Sequence, residues 1–307
     1  MGVLGKALLT GSLLTVIAGI GIVAVVHRSY EGPDGVQSQR FDGIATDLFR
    51  FGHTMQLIPK AFEAHVSTFL IKSGRNYILI DAGWPTQNHT LLFMAALKDA
   101  TRAGTLRWIL LTHGHMDHIG SLKEIMEAFP DAQVVMHILE APYVAGGVSY
   151  STIPADNWAY TILHSLLPNF VKLQLPMHRI LYVSGESGDM SEVKGATGQA
   201  PQWAPAKGLL EYVRMPGHAP GQIVLLHKPT ASLLAADTIT NLRGGFLHKT
   251  APQLGFAPPG ATSNLTQAAE DAKALAELEI STAFPSHDHG AGVPKAALVG
   301  FVQSLSL

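Results

Sequence analysis

Thr112-His113-Gly114-His115-Met116-Asp117-His118-Ile119-Gly120 packs three imidazoles and a carboxylate into a few residues. The apolar run Trp108-Ile109-Leu110-Leu111 before it reads as a buried β-strand, and Ser121-Leu122-Lys123-Glu124-Ile125-Met126 after it reads as the start of a helix. The polar residues therefore lie on a strand-to-helix connection, where side chains can converge on one point. Histidine and aspartate offer N and O donors suited to a borderline divalent cation such as zinc. His113 and His115 alternate along an extended loop, so both can point the same way. Asp117 and His118 lie half a turn further on and can face a second position beside the first. The competing reading is a plain His-rich surface loop. Against it, imidazoles buried beside a carboxylate without a cation would leave polar groups unpaired at a cost.

The string resembles the His-x-His-x-Asp-His signature of the metallo-β-lactamase-fold superfamily. The resemblance implies an α/β (α+β) chain folded as a four-layer αββα sandwich that holds two metal ions. Later segments follow the order of that family's motifs. Met215-Pro216-Gly217-His218-Ala219-Pro220-Gly221-Gln222 matches its third ligand turn, with His218 as the ligand. Ser232-Leu233-Leu234-Ala235-Ala236-Asp237 resembles the strand whose terminal acid bridges the two metals. Pro285-Ser286-His287 matches the last ligand motif and favours His287, while His289-Gly290 keeps His289 as the alternative. Asp81, closing the strand Tyr77-Ile78-Leu79-Ile80, would support the histidine loop from behind.

Together the resemblance implies one metal held by His113, His115 and His218. A second would be held by Asp117, His118 and His287, with Asp237 spanning both. The cofactor expectation is two zinc ions, with iron or manganese as alternatives. Two cations about 3.5–4 Å apart lower the pKa of a shared water towards neutrality, giving a hydroxide that attacks an ester, lactone or thioester carbonyl. Asp117 would then be both ligand and catalytic proton acceptor. Zinc β-lactamases of the best-known type carry Cys where Asp237 stands, so the resemblance points to the broader lactonase- and thioesterase-like hydrolases. No Gly-x-Ser-x-Gly elbow offers a serine nucleophile. The rival readings are an iron-dependent oxidoreductase of the same fold acting on small thiols or persulfides, and a non-catalytic scaffold.

Composition narrows the field. The 307 residues suffice for a sizeable core, with 47% hydrophobic and 14% charged residues. A formal net charge of −2 offers no phosphate track, so nucleic acid is not an expected partner. The absence of cysteine excludes disulfides and thiolate ligands.

Ala7 to Val26 is an uncharged apolar run long enough for a bilayer-spanning helix. It sets the expectation of a single-pass membrane protein with residues 1–28 as anchor, or of a secreted protein after signal cleavage. Residues 29–46 read as a linker or first hairpin, and 47–307 as the catalytic domain. Within it, about 146–208 is a variable insertion whose apolar segment Trp158 to Leu167 is a lid, a membrane-facing surface or a core helix. Ser187 to Pro205 reads as exposed loop. An anchor and an apolar insertion would suit a small-molecule, lipophilic substrate.

Overall fold

The computed structural model describes residues 39–305, apart from 59–61, 167–172, 174, 197, 199, 244–250 and 290. The expected N-terminal anchor and most of the linker lie outside the described residues. The single-pass membrane localisation is corrected: among the described residues no helix is long and apolar enough to cross a membrane.

The first sheet is built from β1 (Asp42–Ala45), β2 (Leu48–Ile58), β3 (Phe62–Ser73), β4 (Asn76–Ile80), β5 (Thr105–Leu110), β6 (Gln133–His137), β7 (Ile180–Val183) and β9 (Lys194–Gly195), in that spatial order. The second is built from β8 (Ser187–Asp189), β10 (Leu210–Arg214), β11 (Ile223–His227), β12 (Ser232–Ala236), β15 (Thr282–Pro285) and β16 (Val293–Pro294), in the order β16-β15-β12-β11-β10-β8. A separate hairpin pairs β13 (Thr240–Arg243) with β14 (Pro252–Gly255). β1 pairs antiparallel with β2, so part of the stretch read as linker or first hairpin is a hairpin strand of the first sheet.

The central strands are apolar throughout because both of their faces are covered. On one face Ile78, Ile80, Trp108, Leu110 and Val135 meet Tyr212, Ile223, Leu225, Leu234 and Phe284 of the second sheet. On the other, Leu79, Ile109 and Val134 meet helix α1 (Gln87–Thr101) and helix α3 (Leu122–Ala128), which follows the short helix α2 (Met116–Ile119). Val224, Leu233 and Ala283 on the outer face of the second sheet meet helices α6 (Leu265–Glu277) and α7 (Lys295–Ser304). The result is helices, sheet, sheet, helices. Each large side chain so buried contributes about 1.5–3 kcal/mol. Caps mark the helix starts: Thr86 accepts from the His89 N–H of α1, and Asn264 from the Gln267 N–H of α6.

The insertion is more ordered than its composition suggests. It follows α4 (Ala141–Val144) and holds α5 (Trp158–Leu166), and the stretch read as exposed loop from Ser187 contributes β8 and β9. Met190 and Val193 there are buried in the inter-sheet core. Two apolar side chains reaching between the sheets outweigh the glycine-rich composition around them.

β4, β5 and β6 run parallel, as do β12 and β15, so their C-terminal ends share one edge of the sandwich. The Ile223 N–H donates to the Thr112 carbonyl at 3.0 Å and joins the two sheets at that edge.

Candidate metal centre

Every residue singled out as a ligand comes to this edge. His113, His115 and His218 each present a ring nitrogen to a common point, with all three atoms within 4.8 Å of one another. The same holds for His113, His118 and Asp237, and for Asp117, His118 and His287. Asp237 lies between the clusters. Its Oδ2 is 3.4 Å from His218 Nε2 and 3.0 Å from His287 Nε2, while its Oδ1 is 3.5 Å from His118 Nε2. Asp117 Oδ2 is 3.3 Å from His287 Nε2 and 3.7 Å from His118 Nε2. His287 joins the cluster and His289 does not; the His289 ring lies beside His65.

Local structure explains the placements. Helix α2 begins just after His115, so Asp117 and His118 project from its first turn. The His218 turn lies against α6, where Gly217 N–H donates to Asp271 at 2.7 Å. A Cβ on Gly217 would fall 2.3 Å from the Ala268 backbone nitrogen, which is why the turn carries glycine there. Gln222 ties this turn to the Asp237 loop: its Oε1 accepts from Asp237 N–H and its amide donates to Met215 carbonyl and Thr238 Oγ1, each at 3.2 Å. Asp81 (φ 63°) and Ala236 (φ 46°) hold left-handed backbone at the strand ends beside the site.

The supporting hydrogen bonds decide which nitrogen of each ring faces inward. Thr112 Oγ1–H donates to Asp81 Oδ2 at 2.8 Å, so Thr112 Oγ1 accepts from His113 Nδ1–H at 3.1 Å. His118 Nδ1–H donates to Asp81 Oδ2 at 2.8 Å, and His287 Nδ1–H donates to the His65 carbonyl. Thr262 Oγ1 donates to the Ala257 carbonyl and so accepts from His218 Nδ1–H at 3.4 Å. On this network, assigned from donors and acceptors, the Nε2 atoms of His113, His118, His218 and His287 all face the centre.

Several of these atoms lack a separate partner inside the protein. His113 Nε2 lies 3.1 Å and His218 Nε2 2.9 Å from the one inward nitrogen of His115, Nδ1. His118 Nε2 and Asp237 Oδ1 are buried and make no hydrogen bond. Inward ring nitrogens and carboxylates brought together in this way fit divalent cations.

Electrostatics divides the cluster. Burial holds His113 and His115 well below the ordinary imidazole value and His218 at about 4, so this triad is neutral. Burial opposes charge on His118 and His287 too, but Asp237, Asp117 and, for His118, Asp81 outweigh it. His118 is raised well above its ordinary value and His287 to about 10. Asp237 and Asp117 are held low by the same neighbours despite burial.

A match to the metallo-beta-lactamase superfamily model covers residues 62–189. That segment includes the His113 to His118 loop. Over that segment the chain is similar to the metallo-β-lactamase superfamily. The "Probable metallo-hydrolase YflN" of Bacillus subtilis is 28% identical over 222 residues, covering 71% of this chain and 76% of that protein. Two solved structures share the fold. The metallo-beta-lactamase from Pontibacter korlensis gives a TM-score of 0.57 at 13% identity, covering 88% of this chain and 99% of that one. The metallo-beta-lactamase FIM-1 from Pseudomonas aeruginosa, in its mono-zinc form, gives 0.54 at 14% identity, covering 89% and 96%.

The superfamily motifs did not point to three residues that the structure places at the site. Glu140 and Tyr150 reach the backbone between His113 and His115. His164 on α5 stacks on His115, with ring centroids 5.2 Å apart. A glutamate within the apolar stretch Val134 to Val144 was the one available signal. His137 has a structural place instead: Nε2–H donates to the Gly185 carbonyl and Nδ1 accepts from Leu139 N–H.

Proposed function

We propose that this protein is a metal-dependent hydrolase of ester, lactone or thioester carbonyls, with zinc as its metal. The observation that carries the reading is the convergence of the His113, His118, His218 and His287 Nε2 atoms, closed by Asp117 and Asp237. His113, His115 and His218 would hold one ion, Asp117, His118 and His287 a second, and Asp237 would touch both. When bound, such a pair supplies Lewis-acid polarisation and acidifies water. The residues of the chain do the rest. Asp117, the more open of the two central carboxylates, orients the attacking water, takes its proton at Oδ2 and returns it to the leaving group. Asp81 and Thr112 hold the rings in register while substrate enters and product leaves. Burial around the triad keeps bulk water away from the reacting carbonyl.

The metallo-hydrolase name of the Bacillus subtilis relative and the mono-zinc form of FIM-1 support hydrolysis and zinc. A complete donor set favours a hydrolase over a mononuclear iron oxidoreductase. With the anchor set aside, a lipophilic substrate rests on α5, which presents Trp158 and Ile162 to solvent on the helix that brings His164 to His115. The test is elemental analysis of the purified protein followed by a panel of lactones of rising chain length, thioesters and β-lactams. The reading expects zinc, chelator-sensitive hydrolysis of lactone or thioester, and preference for longer chains. Iron with thiol or persulfide oxidation would replace it with the oxidoreductase.

A further inference from the structure

The buried Glu140 carboxylate joins two loops that are far apart in sequence. Its Oε2 accepts from Gly114 N–H at 2.9 Å, between His113 and His115. Its Oε1 accepts from Gly221 N–H at 2.7 Å, three residues beyond His218. Both glycines are shaped to this carboxylate and its surroundings. A Cβ on Gly114 would lie 2.5 Å from Tyr150 Oη, and one on Gly221 would lie 2.9 Å from both Glu140 Cγ and the Glu140 backbone nitrogen. Tyr150 adds a second contact, its hydroxyl donating to Glu140 Oε2. Glu140 itself is fixed by its place directly after β6, in a turn where His137 accepts from Leu139 N–H.

We propose that Glu140 is a positioning residue that sets the spacing of the His113–His115–His218 triad by clamping both loops, and that it does so without serving the Asp117–His118–His287 group. The inference rests on the metal-centre reading above. A single carboxylate with two oxygens can accept from two separate N–H groups at once. A carboxamide cannot: one of its two termini is an NH2 that faces a donor with a donor. Glu140→Gln therefore releases one of the two loops while keeping size and shape. Tyr150→Phe keeps both N–H bonds and removes only the phenol.

Zinc binding to the purified full chain is measured by competition with a chromophoric chelator, beside thermal melting of each variant. Wild type is expected to take two equivalents. Glu140→Gln should keep one at wild-type affinity and bind the other ~10–100-fold more weakly, whereas Tyr150→Phe keeps both. Equal weakening of both equivalents, or no weakening of either, overturns the clamp while leaving the metal centre in place. No zinc on wild type instead overturns the metal-centre reading. If Glu140→Gln does not fold, amide exchange on the zinc-free wild type decides. The clamp requires Gly114 and Gly221 to be protected together, and fast exchange at either one overturns it.

Discussion

Asp81 and His118 are 37 residues apart in the chain and 2.8 Å apart in space, His118 Nδ1–H donating to Asp81 Oδ2. The same carboxylate accepts from the backbone N–H of Thr112 at 2.8 Å and from the Thr112 hydroxyl. One buried acid thus fixes rings on both sides of the proposed centre, His118 directly and His113 through Thr112. Asp81→Ala should lower metal affinity ~10–100-fold, the usual effect of removing such a support. Isothermal titration with zinc measures it; unchanged affinity would mean that the rings hold their orientation without Asp81.

Asp117→Asn should retain the fold and lower kcat at least ~100-fold on whichever substrate the panel reveals. The amide cannot accept the proton that the carboxylate takes. Steady-state kinetics on metal-replete variant and wild type, with matched melting curves, give the comparison. Near-normal kcat would remove the proton-transfer role from Asp117.

Two glycines predict opposite outcomes for the same substitution. A Cβ on Gly120 would fall 2.2 Å from the Pro85 backbone nitrogen and 2.4 Å from the Gly83 carbonyl oxygen, neither of which can yield. Gly120→Ala should cost about 3 kcal/mol or more. Gly300 lies within α7 with nothing inside 4 Å of its would-be Cβ, and Gly300→Ala should stabilise by about 0.5–1 kcal/mol. Chemical denaturation of the pair reads both signs.

His53 and His89 stack edge to face at 4.6 Å between β2 and α1. Burial holds His53 at about 4 and His89 well below its ordinary value. The folded protein therefore keeps them neutral while the unfolded chain protonates them near 6.5. Their contribution is complete above about pH 6.5 and is lost as pH falls towards 4, about 3 kcal/mol from His53 alone at pH 4. Tm measured from pH 7.5 to 4.5 should fall less steeply for His53→Leu than for wild type. Parallel curves would show that His53 does not titrate with unfolding.

Much of this architecture could be read from residue order. The 108–118 segment carries its chemistry in adjacent residues, and the His218, Asp237 and His287 turns each bear a local signature. Apolar runs placed β4, β5, β12 and the start of α3 to within a few residues. The contacts that hold the centre together were less visible. Glu140 acts on Gly114 and Gly221 across 26 and 81 residues, and nothing in the sequence around it announces either partner. β8 and β9 were hidden for a related reason: Met190 and Val193 supply the burial that the surrounding Gly, Ser and Pro argue against. The expected membrane localisation found no support: among the described residues no helix is long and apolar enough to cross a membrane, and Ala7 to Val26 lies outside them.

The most direct test is anomalous diffraction at the zinc edge from crystals of the zinc-loaded protein. Two peaks are expected, one within reach of His113 Nε2, His115 Nδ1 and His218 Nε2, the other beside Asp117, His118 and His287, with Asp237 between them. Peaks elsewhere, or none at this edge of the sandwich, would contradict the account.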